Sequence, residues 1–188
     1  MSSVWRYTEQ HLGRYLARYV RVGISICIGA WLLSGCGYHL PGRGDAIPAD
    51  VQKIYIALLD NRTTQPFIEN TLTSEVRDQF TRRPGFEVVS ERDKADAVIT
   101  GAITRYTTSA IAYDEKDNIR EYRAVMTAEF RFERIDGSEV LWQGNVTWDE
   151  EFMADRDRAL QLNYETEAQE TLSSRLASEL FNRIVDNF

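Results

Sequence analysis

Few residues in this chain are of types that do chemistry, and the most telling of them lies near its start. Cys27, Cys36, His11 and His39 are its only cysteines and histidines. They leave little material for a disulfide framework or a zinc site. Cys36 closes the run Leu33-Ser34-Gly35-Cys36, an apolar residue, two small ones and a thiol. Small side chains at 34 and 35 let an extended backbone lie in a peptidase cleft, and only a thiol at 36 can accept a diacylglycerol as a thioether. Buried methylene groups contribute about 0.8 kcal/mol each and a single chain anchors only marginally, so multiple acylation makes the attachment durable. The chemistry expected of Cys36 is that of an anchor rather than a redox centre.

Charge and hydropathy ahead of that cysteine fit the same chemistry. Arg6, Arg14, Arg18 and Arg21 stand against a single acid, Glu9, and Val22–Leu33 then runs twelve residues without a charge. Crossing a bilayer core as a helix takes about 20 apolar residues, so this run suits an export signal better than a span. Basic segment, apolar core and Leu-Ser-Gly-Cys together resemble the lipobox signal of bacterial lipoproteins. The alternative is a cleaved secretory signal whose cysteine falls there by chance. On the lipoprotein reading residues 1–35 are removed, Cys27 leaves with them, and the only attached group is a covalent N-acyl diacylglycerol on Cys36. No other cofactor is expected. Gly37 rather than Asp follows the anchor, so the inner-membrane retention signal familiar from enteric bacteria is absent and outer-membrane sorting is expected.

Composition narrows the rest. Hydrophobic residues make up 43% and charged residues 27% of the 188-residue chain, with 11 Gly and 4 Pro, so collagen-like, low-complexity and wholly disordered classes fall away. The formal charge is −7, and losing the four Arg and one Glu of the leader takes it to −10. That argues against a protein that grips nucleic acid through its phosphates; binding of any polyanion must come from a few local cations. Enzyme chemistry finds no foothold. After processing His39 is the one histidine, three residues from the anchor and pinned near a membrane. Asp149-Glu150-Glu151 and Asp155/Asp157 read as solvated surface rather than paired catalytic carboxylates. The glycines form neither a phosphate-cradling loop nor a dinucleotide fingerprint, and no metal site is expected.

Residues 36–50 contain Gly37, Pro41, Gly42, Gly44 and Pro48 with no apolar period, which reads as a flexible tether. Folded sequence is expected from Val51, as a single domain over 51–188. Ile54, Ile56 and Leu58 alternate as in a strand. Pro66 suits the first turn of a helix capped by Thr64, and Ile68, Leu72, Val76 and Phe80 mark its apolar stripe up to Arg83-Pro84-Gly85. Phe86–Val89 is a short strand. Ala97–Tyr113 begins with Ile99, Gly101 and Ile103 on one face and loses clear parity at Arg105, which fits either a bulge or a protruding strand end. In Glu121–Ile135 the residues Tyr122, Ala124, Met126, Ala128, Phe130 and Phe132 face one way and charged residues the other. Asp136-Gly137 signals a hairpin turn, after which Val140, Trp142, Gly144, Val146 and Trp148 continue the dry face, the tryptophans as core rather than ligand platforms. From about Tyr164 a second helix repeats Ala168, Leu172, Leu176, Leu180 and Ile184. The expected fold is α+β, a two-layer sandwich: a mixed sheet of four to five strands in β-α-β-β-β-β-α order, two helices packed on one face and the other face polar.

The connection Asp114–Arg123 interleaves acids with Lys116, Arg120 and Arg123, and places Ile119 and Tyr122 among them. A solvated turn explains such charges; alternatively the cations serve a phosphorylated ligand, for which Arg forks are suited. At this point Cys36-Gly-Tyr-His-Leu40, the exported α+β domain and the strand Glu121-Tyr122-Arg-Ala-Val-Met126-Thr resemble the lipopolysaccharide-assembly lipoproteins, the LptE family. The likeness covers nearly all of the mature chain in element order, and its specific motifs are the two stretches quoted. It implies a lipoprotein on the periplasmic face of the outer membrane that plugs the β-barrel lipopolysaccharide translocon and helps it assemble. It also implies lipopolysaccharide binding as that lipid is delivered to the outer leaflet. Two other readings remain open: a different lipid-anchored assembly factor, such as a pilotin escorting a secretin, and a lipoprotein hydrolase.

Overall fold

The computed structural model describes residues 47–186; the expected leader over 1–35, Cys36 and His39 lie outside the described residues. In chain order come β1 (Lys53–Ile56), β2 (Asp60–Asn61), α1 (Ile68–Thr81), β3 (Glu87–Val89), β4 (Ala97–Tyr113), β5 (Ile119–Arg134), β6 (Val140–Met153) and α2 (Arg158–Asp186). Spatially the sheet runs β3-β1-β4-β5-β6, with β2 also beside β4. β1 lies parallel to β3 and to β4, as a strand that returns through a helix must, whereas β4, β5 and β6 form an antiparallel meander. The mixed α+β sandwich expected from the sequence is therefore the fold, and the short segment at 87–89 joins the sheet as an edge strand.

One core lies between the sheet and the helices. Ile68, Leu72, Val76 and Phe80 of α1 and Ala168, Leu172, Leu176, Leu180 and Ile184 of α2 are buried against Ile54, Ile56, Ile99, Ile103, Met126, Phe130, Phe132 and Val146 of the sheet. Both apolar stripes fall on the residues their four-residue spacing marks. Phe130 has Gly101 and Gly144 as its cross-strand partners, and the glycines are there for space. A Cβ on Gly101 would run into the Glu129 carbonyl and lie 2.9 Å from the Phe130 ring, and one on Gly144 would lie 2.9 Å from the Trp142 ring.

The parity change in β4 is a bulge. The register with β5 shifts between Ile103 and Arg105, so Ile99, Gly101 and Ile103 face the helices before it and Tyr106, Thr108 and Ala110, opposite Met126, Ala124 and Tyr122, after it. The β4–β5 register shifts again at Ala110/Ala112 and Ala112/Tyr113, and in the β5–β6 pairing a shift between Phe132 and Glu133 corrects the assignment of Val140 to the dry face. Val140 pairs with Glu133 and is 39% exposed, while the extra residue Leu141 packs against the core. Trp142 packs there too, but Trp148 is 36% exposed at the margin of that face.

Helix starts also differ from expectation. Thr64 caps nothing: α1 begins at Ile68 behind Phe67, which has φ 64° and makes no side-chain cap. The preceding loop is organised by Asn61, which accepts from the Thr63 N–H (2.9 Å) and donates to the Gln65 carbonyl (2.7 Å) and to Glu69 (2.8 Å). The second helix, α2, starts at Arg158, about a turn and a half before Tyr164, because Asp157 accepts from the Ala159 N–H at 2.8 Å. That first stretch escapes a periodicity reading since its Leu160 and Leu162 are exposed.

Part of the stretch read as tether is fastened to the domain. Ile47 packs on the core, and Asp50 meets the Arg134 guanidinium at 2.8 Å. Asp96 accepts the N–H groups of Gln52 (3.0 Å) and Lys53 (2.7 Å), tying the entry of β1 to β4.

Candidate functional site

The hairpin joining β4 to β5 carries the cations singled out from the sequence. Its turn is built by one carboxylate. Asp114 Oδ1 accepts from the backbone of Lys116 (2.8 Å) and Asn118 (2.9 Å), the Asn118 amide donates to both Asp114 oxygens, and Asp117 takes the left-handed conformation at φ 59°. Those donors, the Asn118 side chain first, hold the Asp114 carboxyl below the ordinary aspartate value of 3.8. Asp50 (held by Arg134), Asp96 (held by backbone N–H groups) and Asp136 (held by Ser138) shift the same way. A carboxylate whose folded pKa is depressed adds stability above its unfolded pKa and loses it as pH falls through the folded one. The protein is therefore expected to lose stability below about pH 3.8. Asp114→Ala should lower the thermal midpoint slightly and flatten that acid limb; an unchanged limb would remove Asp114 from the account.

The three cations are placed differently. Lys116 is in the exposed turn and Arg120 at the start of β5, and neither has an ion-pair partner among the described residues. Arg123 lies on the outer sheet face directly opposite Glu151, which it binds through both its Nε (3.2 Å) and a terminal nitrogen, with Asp149 3.5 Å away. Glu151, as acceptor and charge, raises the Arg123 pKa. On the opposite face of the same strand ends Tyr122 stacks on the buried Phe152, with ring centroids 5.5 Å apart, so β6 is held on both faces through the acidic run to Met153. Beside the hairpin is a cavity of about 670 Å³, lined among others by Ile119, Arg120, Tyr122, Met153, Arg156 and Gln161. Arg156 was not singled out in the sequence. It lies 36 residues from Arg120, and only the return of β6 along β5 brings the two cations to one cavity.

The rest of the outer face is polar. Arg62 pairs with Glu129 (2.6 Å), Arg131 with Glu133 (2.6 Å) and Gln143 (3.2 Å), and Thr127 with Thr147 (3.0 Å). Exposed pairs of this kind add little stability and keep the surface wetted. A shallow cavity of about 530 Å³ opens on this face between Asp60, Arg62, Thr100, Glu129, Arg131 and Gln143. Among the described residues no cluster of His, Cys, Asp and Glu could hold a metal ion, and no helix is long and apolar enough to cross a membrane.

A mixed sheet polar on one face and backed by two helices on the other defines a small two-layer α+β domain. The chain belongs to the lipopolysaccharide-assembly (LptE) family, which matches residues 51–187. Solved structures of similar fold include the uncharacterized lipoprotein B from Nitrosomonas europaea, 14% identical with TM-score 0.51, covering 79% of this chain and 90% of that one. Rare lipoprotein B from Shewanella oneidensis is 12% identical with TM-score 0.45, covering 71% and 92%. The PelC dodecamer from Paraburkholderia phytofirmans is 13% identical with TM-score 0.49, covering 76% and 92%. No curated protein matches the chain. The family is one of lipoproteins in lipopolysaccharide assembly.

Proposed function

We propose that this protein is an outer-membrane lipoprotein, held at the periplasmic face by the acylated Cys36, that plugs the β-barrel lipopolysaccharide translocon and assists its assembly. The family match over residues 51–187 carries the reading, and it agrees with the run of polar and charged side chains over the outer face of β5 and β6. A barrel lumen is polar, and a plug must present a polar wall to it. The lipid anchor raises the local concentration of the domain at the barrel, so a modest interface suffices. The chain acts without catalysis and without nucleic acid, and its only attached group is the N-acyl diacylglycerol. Pull-down of the acylated protein from detergent-solubilised membranes is expected to recover an outer-membrane barrel of the lipopolysaccharide pathway; recovery of a secretin ring in its place would refute the reading.

Delivery of lipopolysaccharide to the outer leaflet brings its sugar phosphates past the plug, and Lys116, Arg120 and Arg123 are the cations offered to them. Lys116 and Arg120 are the uncommitted pair, whereas Arg123 must exchange Glu151 for the ligand. A hydrogen bond to a charged group contributes about 1.5–3 kcal/mol, so replacing all three by Ala should weaken binding of purified lipopolysaccharide at least about tenfold. Unchanged affinity would release the hairpin from this role.

A further inference from the structure

A sheet edge presents unpaired N–H and C=O groups, and proteins protect such edges or use them. Two edges of this sheet are protected. The outer strand β3 is three residues long. On β6, Asp149, Glu150 and Glu151 place charge along the strand, and Arg183 of α2 donates to the Asn145 carbonyl at 2.9 Å. A third edge is internal to the fold. β1 and β2 pair with β4 only over Ala97–Ile99 and Ala102–Ile103, so from Arg105 to Tyr113 β4 has β5 on one side and, among the described residues, no strand on the other.

Apart from register shifts with β5 at its far end, at Ala110/Ala112 and Ala112/Tyr113, this stretch carries no protective device, and Tyr106–Ala110 runs in unbroken register. Tyr106-Thr-Thr-Ser-Ala-Ile-Ala-Tyr113 holds no charge, no Pro and no Gly in a chain that is 27% charged. Its aromatic and β-branched residues favour extended pairing, and Thr107, Thr108, Ser109, Ile111 and Tyr113 are exposed. Charge reappears only at its ends, with Arg105 before it and Asp114 and Glu115 after it.

We infer that the distal edge of β4, Tyr106–Tyr113, accepts one added strand: an uncharged extended segment of the partner barrel, paired through the backbone. This rests on the functional reading above, in which the partner is a barrel. Main-chain hydrogen bonds supply the affinity of such strand addition. Arg105 and Glu115, which have no ion-pair partner among the described residues, set its direction, an acid of the incoming segment meeting Arg105 and a base meeting Glu115, while Asp114 stays with the turn.

Ser109→Cys supplies the one free thiol of the processed, acylated protein, and a thiol-linked photo-cross-linker there reports what lies along the edge. In native membranes the adduct is expected to contain the co-purifying barrel, with the linked peptide an uncharged extended segment. Thr107→Lys combined with Ser109→Lys should cut barrel recovery at least tenfold with an unchanged far-UV spectrum and thermal midpoint, whereas Ser109→Ala, which leaves the backbone free to pair, recovers as much as wild type. The inference is overturned if the barrel co-purifies but the adduct is absent, maps to a second copy, or maps to residues 37–46 of the same chain. Undiminished recovery by the double lysine variant also overturns it. If the wild-type protein recovers no barrel, the functional reading falls and takes the added strand with it.

Discussion

A Cys36→Ala variant is expected to incorporate no labelled palmitate and to accumulate as soluble or unprocessed protein. The effect is all-or-none because no other side chain at that position can form the thioether. Each buried methylene of an acyl chain contributes about 0.8 kcal/mol, so the loss of a dozen removes about 10 kcal/mol of membrane affinity. Cys27 is the internal control. It lies in the apolar run Val22–Leu33 of the expected leader, and Cys27→Ala should leave palmitate labelling unchanged. Labelling that survives Cys36→Ala would end the anchor assignment, and with it the tethering at the barrel that lets a modest interface suffice.

The largest effect on folding is expected at Phe80. Its side chain is fully buried, 5.1 Å from the Phe181 ring and 5.9 Å from the Phe86 ring, both in edge-on geometry. Phe80 thus joins the end of α1 to the end of α2 and to the chain that leads into β3. Phe80→Ala removes the buried ring and leaves a cavity that helices held by several other contacts cannot close, at a cost of about 3–5 kcal/mol. For a domain of this length that corresponds to a fall in thermal midpoint on the order of 10 °C. Leu58, 58% exposed, provides the contrast: Leu58→Ala should change urea stability by no more than about 0.5 kcal/mol. A loss at Phe80 below about 1 kcal/mol would show that the aromatic cluster does not hold the two helices together.

Much of the fold was legible in the chain. Stripes such as Leu72, Val76 and Phe80, or Leu172, Leu176 and Leu180, repeat with the helical period, and Tyr122 to Phe132 alternate with the period of a strand, so each element's buried face could be read locally. The misreadings have local causes as well. Val140 was assigned to the dry face by counting in twos, and the extra residue at Leu141 breaks that count. The start of α2 was missed because Leu160 and Leu162 meet solvent and carry no stripe. Thr64 had the right side chain for a cap, but Asn61 and Thr63 organise the loop instead. The candidate ligand site was legible only as a set of charges. That Arg123 is already held by Glu151, and that Arg156 shares a cavity with Arg120, depends on which strand returns beside which.

The sequence by itself supplied the expectation of an acylated leader, the acidic balance that argues against a general grip on polyanions, and the alternation that makes a wet and a dry sheet face. Each is a property of neighbouring residues and their periods, and needs no knowledge of distant contacts. Tertiary structure alone decided that, among the described residues, Tyr106–Tyr113 is an edge. An edge is defined by what does not lie beside a strand, and β1 and β2 are too short to run along β4 past Ile103. The same eight uncharged residues would read as an interior strand if β1 were longer, and only the pairing register shows that, among the described residues, no strand lies on their second side.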